Sequence, residues 1–398
     1  MARGAGARVG RILASLLVAV GALVGSVLAV ELALRARPTL LGQTFANGVL
    51  TRYTAREGGI YYRDPNLRMN FMIPGLRTTM HYNGYTWTHE ADALGFRNHR
   101  VEIPAHVMLL GDSMIYGHGV EIDGTVGHFL EQILGRPVAN LARQGDTAYQ
   151  EAYLLSTHVG LYRPRHVVYF YFENDVGDLA AYLSEAQMRA FIETPLEAIR
   201  YPPRMEVSHA LREREARLAR RPWYSGLKRT YVFRAARWLA WMRRNAGQTP
   251  ATAAVPGGRV TPGGPADPAA PATPGGSPAA GGPVAAQGTA TPTAGAAAGT
   301  AADEARSLGW QYTRKAIAYM QHVSDKHGAR LLVVPLAPRT PRHVEILRAI
   351  AADLDLPFLD TSALPADEAL WLPGDGHFSP AGARRMAEMV AERLRQAE

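Results

Sequence analysis

His106-Val107-Met108-Leu109-Leu110-Gly111-Asp112-Ser113 runs four apolar residues into a glycine, a carboxylate and a hydroxyl. An apolar run this short, bounded by turn chemistry, reads as a buried strand rather than a helix. His106–Leu110 is therefore a strand that empties into a loop carrying Ser113. The alternation repeats downstream. Thr125–Leu134 reads as an amphipathic helix closed by Gly135, and Pro137–Leu141 as a second strand. Thr147–Tyr162 is helical, and Val167–Phe172 is a third strand rich in β-branched and aromatic residues. Farther on come a helix over Asp303–His327 with Gly328 closing it, strand Arg330–Pro335, helix Pro341–Leu354 and strand Pro357–Asp360. A final helix spans Pro380–Gln396, with Ser379 as N-cap and Pro380 at its first position. Five strands separated by helices predict an α/β sandwich, a five-stranded parallel sheet covered on both faces.

In such sheets ligands bind beyond the carboxyl ends of the strands, so the residues that follow each strand matter. After the first comes Gly111-Asp112-Ser113, after the second Arg143-Gln144-Gly145, after the third Glu173-Asn174-Asp175, and before the last helix Asp375-Gly376-His377. Acyl transfer to a serine needs a base beside the hydroxyl, an acid to fix the base, and donors where negative charge develops. Ser113 is the candidate nucleophile, His377 the base and Asp375 the orienting acid. The backbone N–H groups of Ser113 and Gly145 and the side-chain amide of Asn174 are the candidate oxyanion hole. Taken singly, each has a duller role: a helix cap for Ser113, an Asx turn for Asn174, a positive φ for Gly145, packing for His377. Their joint arrival on one sheet edge favours catalysis.

At these residues the chain resembles the SGNH/GDSL hydrolase superfamily, whose four blocks supply Ser, Gly, Asn and His. Val107–Ser113 followed by Tyr116-Gly117-His118-Gly119-Val120 is similar to the first block, and Asn140–Thr147 to the second. Phe172-Glu173-Asn174-Asp175 looks like the third, and Asp375–Gly382 like the last. Gly95-Phe96-Arg97 looks like the lead-in of membrane-anchored bacterial members. The resemblance implies a flavodoxin-like three-layer αβα fold, carboxyl-ester chemistry, and no metal or organic cofactor. Two departures stand out. Tyr171-Phe172 precede Glu173-Asn174 where the family has a glycine before Asn-Asp. Asp375 lies two residues before His377 rather than three, with Gly374 at the expected place, which makes Asp360 the fallback acid. The shorter spacing is similar to that of alginate-type polysaccharide O-acetyltransferases, so transfer to a sugar hydroxyl stands beside hydrolysis. The second glycine of an α/β-hydrolase elbow is missing from Gly111-Asp112-Ser113-Met114-Ile115, and there is neither a phosphate-binding GxxxxGK[ST] nor a zinc-binding HExxH.

The rest of the 398-residue chain divides around this core. Residues 1–37 form a signal anchor: Ile12–Val30 carries no charge, is preceded by Arg3, Arg8 and Arg11, and is followed by Glu31. Nineteen residues span about 28 Å, one bilayer core, and the flanking arginines place the body of the protein outside the cytoplasm. A cleaved signal peptide ending near Val27-Leu28-Ala29 is the competing expectation. Residues 38–103 are a lead-in, 104–180 and 303–398 the two halves of the hydrolase domain, and 181–247 a basic helical insert. Residues 248–302 are Ala/Pro/Gly/Thr-rich with only Arg259 and Asp267 charged, a composition that predicts a disordered linker.

The net charge is +8, and the insert 181–247 alone accounts for it with 14 Lys/Arg against six Asp/Glu. Its last part, Leu227–Arg244, reads as an amphipathic helix with Leu227, Tyr231, Ala235, Trp238 and Met242 on one face. Such a helix suits an anionic membrane surface, a lid or an acidic polysaccharide; the plainer expectation is a helix packed on the hydrolase core. Nucleic acid is not expected outside the cytoplasm. The chain has no cysteine, which excludes disulfides, Cys-ligated metals and a cysteine nucleophile. The expected partners are an acylated glycan or small ester and the membrane. The functional expectation is a serine esterase acting on O-acyl, chiefly O-acetyl, groups of a cell-envelope or extracellular glycan. An O-acyltransferase with the same site and an inactive glycan-binding scaffold are the alternatives.

Overall fold

The computed structural model describes residues 2–54, 59–100, 102–220, 223–245, 304, 306–336, 340–361, 364 and 367–397. The expected linker 248–302 lies outside them. Helix α1 spans Ala2–Ala36. Its stretch Ile12–Ala36 is long enough to cross a bilayer, and its most apolar 18-residue window, with a mean hydropathy of 2.5, has no residue buried in the protein. The chain then turns through Pro38–Leu41 into α2 (Gln43–Thr54).

The lead-in segment is more than a connection. It folds into two antiparallel hairpins, β1 (Tyr61–Asp64) with β2 (Met69–Met72) and β3 (Arg77–Tyr82) with β4 (Tyr85–Glu90). The β3–β4 turn is Asn83-Gly84, both residues at positive φ (47° and 87°), the conformation a two-residue hairpin loop demands.

Next come β5 (Val107–Leu110), the short α3 (Ser113–Tyr116), α4 (Val126–Leu134), β6 (Val138–Asn140), α5 (Ala148–Tyr162) and β7 (His166–Phe172). Caps explain the helix limits. Thr125 accepts from the His128 N–H and Gly135 closes α4 in the left-handed region, while Thr147 and Gln150 form a capping box on α5. Helix α6 (Asp175–Tyr182) leads into the insert, which contributes α7 (Glu185–Glu193), α8 (Val207–Ala219) and α9 (Tyr231–Asn245). The chain ends with α10 (Leu308–Lys326), β8 (Arg330–Leu336), α11 (Pro341–Asp353) and α12 (Pro380–Arg395). Helix α10 starts at Leu308 rather than 303, because the Ser307 hydroxyl caps the Trp310 N–H.

The central sheet is parallel, in the order β6-β5-β7-β8. Among the described residues it has four full strands rather than five. Pro357–Asp360 adds only one parallel bridge, Val333 to Phe358, with the Val333 and Leu359 N–H groups as its donors. Pro357 has no N–H to extend the ladder, so the segment stays a rudimentary edge. All four residues of β5 are fully buried, as expected of a strand covered on both faces. Helix α12 packs on α4, and α10 on α5.

The basic helix departs from its expected placement. A 3-10 turn, Trp223–Arg229, precedes α9, which packs against α1 and α2 rather than on the hydrolase core. Tyr231 and Ala235 join Leu34, Phe45 and Val49 in a separate apolar cluster, with Trp238 against it. Leu227 and Met242 of the expected face remain 60% and 42% exposed.

Candidate active site

Strand β5 delivers Ser113 to the carboxyl edge of the sheet. Asp112 accepts from the Met114 N–H (2.9 Å) and caps the short helix α3, so Ser113 becomes its first residue. Register carries the partners to the same edge: Leu109 pairs with Asn140 of β6, and Leu110 with Tyr169 of β7. Gly145 follows β6 and Asn174 follows β7.

His377 comes from the other end of the chain and meets Ser113. The Ser113 hydroxyl donates to His377 Nε2 at 2.9 Å. On the far side of the ring, Nδ1–H donates to Asp375 Oδ1, which fixes the tautomer with its acceptor toward the serine. The Asp-x-His spacing works because the chain folds back on itself here. Gly374 and Gly376 both take positive φ (71° and 88°), and the Leu372 N–H reaches the His377 carbonyl at 2.7 Å. The fallback acid is occupied elsewhere: Asp360 pairs with Arg348.

Asp375 is buried, and burial alone would push its carboxyl up. The hydrogen bond and charge of His377, with His118 and the Asn83 amide, outweigh burial and bring it down to about 2. Asn83 donates to Asp375 Oδ2 at 2.8 Å, and the Tyr85 hydroxyl donates to the Pro373 carbonyl at 2.7 Å. These residues had been missed; the Asn-Gly pair between Tyr82 and Tyr85 was the signal that could have placed a hairpin tip here.

His118 was also missed as a site residue. It stacks face to face on His377, centroids 4.3 Å apart. Gln144 Nε2 donates to His118 Nδ1 at 2.6 Å, and the Tyr61 hydroxyl donates to Gln144 Oε1 at 3.2 Å. Burial, then the neighbouring His377 charge, holds His118 well below the usual histidine range, so it stays neutral beside the base.

The oxyanion candidates are placed unevenly. Gly145 sits at φ 75° with its carbonyl accepting from the Tyr182 hydroxyl (2.9 Å). Arg143 and Asp146 flank it as a buried ion pair at 2.7 Å. Asn174 already donates one amide hydrogen to Asp178 Oδ2 at 2.6 Å, which leaves its second hydrogen for a substrate. Asp175 secures that turn by accepting from the Phe172 N–H at 3.0 Å.

Arg97, from the Gly95-Phe96-Arg97 lead-in, is 1% exposed. Its guanidinium donates to the carbonyls of Tyr116 (3.0 Å), Gly117, Val120 (2.6 Å) and Thr88 (3.0 Å). It thereby ties the loop after Ser113 to hairpin β3–β4.

Two groups bring metal-ligating atoms together among the described residues. His118, Asp375 and His377 do so within the site, but the two imidazoles lie 23° from parallel. Lone pairs in the planes of stacked rings run side by side and do not converge on one ion. His99, Asp123 and His128 form the other group at the surface, as ion pairs in which Asp123 Oδ1 lies 2.7 Å from His99 and 3.7 Å from His128.

No protein-family model matches the chain, and no curated protein matches it. Solved structures similar to it include TesA (12% identity, 72% of this chain and 97% of the other, TM-score 0.35). A lipase/acylhydrolase from Enterococcus faecalis gives 10%, 73%, 96% and 0.35, respectively. A GDSL-like lipase from Bacteroides thetaiotaomicron gives 11%, 73%, 88% and 0.34. The chain resembles the SGNH/GDSL hydrolases. At these scores the likeness carries no weight of its own, and the function rests on the geometry of Ser113, His377 and Asp375.

Proposed function

We propose that this protein is a membrane-anchored serine esterase that cleaves carboxylic O-acyl groups, chiefly acetyl, from a cell-envelope or extracellular glycan. The observation that carries the reading is the continuous Ser113–His377–Asp375 chain, with 2.9 Å between the hydroxyl and Nε2. His377 takes the Ser113 proton as Oγ attacks the ester carbon. Charge gathers on the carbonyl oxygen, facing the N–H groups of Ser113 and Gly145 and the Asn174 amide. Collapse breaks the C–O bond, and the departing alcohol takes the proton from His377. Water then gives a proton to His377 as it attacks the acyl-serine, and collapse releases the carboxylic acid while His377 returns that proton to Ser113 Oγ.

The glycan assignment draws on the surroundings. Beside the triad, Tyr82 packs edge-on against His118, Tyr85 donates to the Pro373 carbonyl, and Tyr61 donates to Gln144, with Tyr61, Gln144, Tyr82 and Tyr85 all partly exposed. A polar, aromatic rim suits a hydroxylated ring better than a long alkyl chain. The arginines before the apolar stretch of helix α1 favour an orientation with this rim outside the cytoplasm.

The test is fluorophosphonate labelling and turnover of short and long acyl esters by the full chain in detergent. Ser113→Ala should abolish labelling and lower kcat by roughly four to six orders of magnitude. Acetyl esters should turn over faster than long-chain esters; the reverse order removes the acetyl assignment. An added oligosaccharide that diverts the acyl group from water would make the enzyme a transferase. A wild-type protein that never labels would make it a binding scaffold.

A further inference from the structure

We infer that Asn83, at the tip of hairpin β3–β4, is a positioning residue for the catalytic pair, and that helix α2 sets it through Asn47. The inference rests on the serine-esterase reading. A carboxylate that orients a histidine has two oxygens, and a free one lets it swing. Here Oδ1 of Asp375 is taken by His377 and Oδ2 by the Asn83 amide at 2.8 Å. The orientation of that amide is itself determined. Asn83 Oδ1 accepts from Asn47 Nδ2, and the Asn83 N–H donates to Asn47 Oδ1 at 2.7 Å. Turning the amide over would set an oxygen against the carboxylate and a nitrogen against Asn47 Nδ2, so only one assignment satisfies both neighbours. Gln43 Nε2 in turn donates to Asn47 Oδ1 at 3.0 Å.

The backbone supports the same reading. Asn83 lies at φ 47°, a region in which asparagine is among the few non-glycine residues at home. On the other side of the turn, the Tyr85 hydroxyl holds the Pro373 carbonyl. The hairpin tip therefore grips the Pro373–Asp375 segment at two points, from outside the αβα core. Behind it, α2 packs on β3 and on α9, and α9 packs on the juxtamembrane end of α1. An unbroken series of contacts thus runs from the membrane helix to the catalytic acid.

The experiment uses the full chain in detergent micelles, with a short acyl ester and pH profiles of kcat. Asn83→Ala should lower kcat about 10- to 100-fold with KM within about twofold, as the loss of a group supporting a ligand or base does. Asn83→Asp, nearly the same shape, is the diagnostic variant. While its new carboxyl is protonated it can donate to Asp375 as the amide did; once ionised it opposes a second carboxylate. Its profile should therefore gain a descending limb toward alkaline pH that wild type and Asn83→Ala lack. Asn47→Leu should lower kcat in the same direction but less. Wild-type kcat in Asn83→Ala together with an unchanged profile in Asn83→Asp would overturn the inference while leaving the esterase reading intact. Turnover that survives Ser113→Ala would instead remove the serine mechanism, and this role with it.

Discussion

At the residue scale, the site joins a half-buried serine to a histidine held at both ring nitrogens and covered on one face. One edge of the His377 ring is held by Asp375, the other accepts from Ser113, and the flat face is covered by a neutral His118. The depressed carboxyl of Asp375 has a measurable consequence. Its folded pKa of about 2 lies below the unfolded value, so it contributes stability above about pH 4, lost as pH falls through 2. A shift of this size corresponds to about 2 kcal/mol. Wild type and Asp375→Asn should therefore differ in urea midpoint at pH 5, and that gap should narrow between pH 4 and pH 2. A gap that stays constant over the window would mean that the carboxylate is not held by its charge partners.

At the scale of elements, hairpin β3–β4 and the loop after Ser113 are one unit, riveted by Arg97. Four carbonyls from two elements converge on this buried guanidinium. Arg97→Met keeps much of the volume but leaves those carbonyls short of donors in a buried place. Each unsatisfied buried group costs roughly 1–3 kcal/mol, so a loss of about 3 kcal/mol or more is expected. The measurement is the urea midpoint, together with fluorophosphonate labelling at Ser113. Labelling should fall at denaturant concentrations where wild type is still fully reactive, because the loop carrying His118 loosens first. A midpoint within 0.5 kcal/mol of wild type would show that the carbonyls find other donors.

At the scale of the whole molecule, α1, α2 and α9 pack around their own apolar cluster, separate from the core of the sheet. If α1 is an uncleaved anchor, the protein should stay with membranes through an alkaline carbonate wash. A protease added on the extracytoplasmic side should digest the domain without opening the membrane. Release by carbonate would contradict the anchor, and protection from that protease would contradict the orientation argued from Arg3, Arg8 and Arg11.

Much of this molecule was legible from local pattern. The hydrophobic periodicity of 106–172 and 330–396 marks the strands and helices, and the caps Thr125, Thr147 and Ser379 mark helix starts, because these signals lie within one turn of the residues they govern. The positions of Ser113, Asp375 and His377 were likewise readable beside elements that the pattern fixes, and their side chains meet as expected; Gly145 and Asn174 follow β6 and β7 as the pattern expects. Two features were not: the stacking of His118 and the support of Asp375 by Asn83; Asp375, read as the orienting acid ahead of Asp360, is the carboxylate that meets His377. Each depends on contacts between segments hundreds of residues apart, which no local propensity encodes. Element type and the candidate site residues were written in the order of the residues; the bracing of Asp375 by a hairpin from the lead-in was decided only when the chain packed against itself.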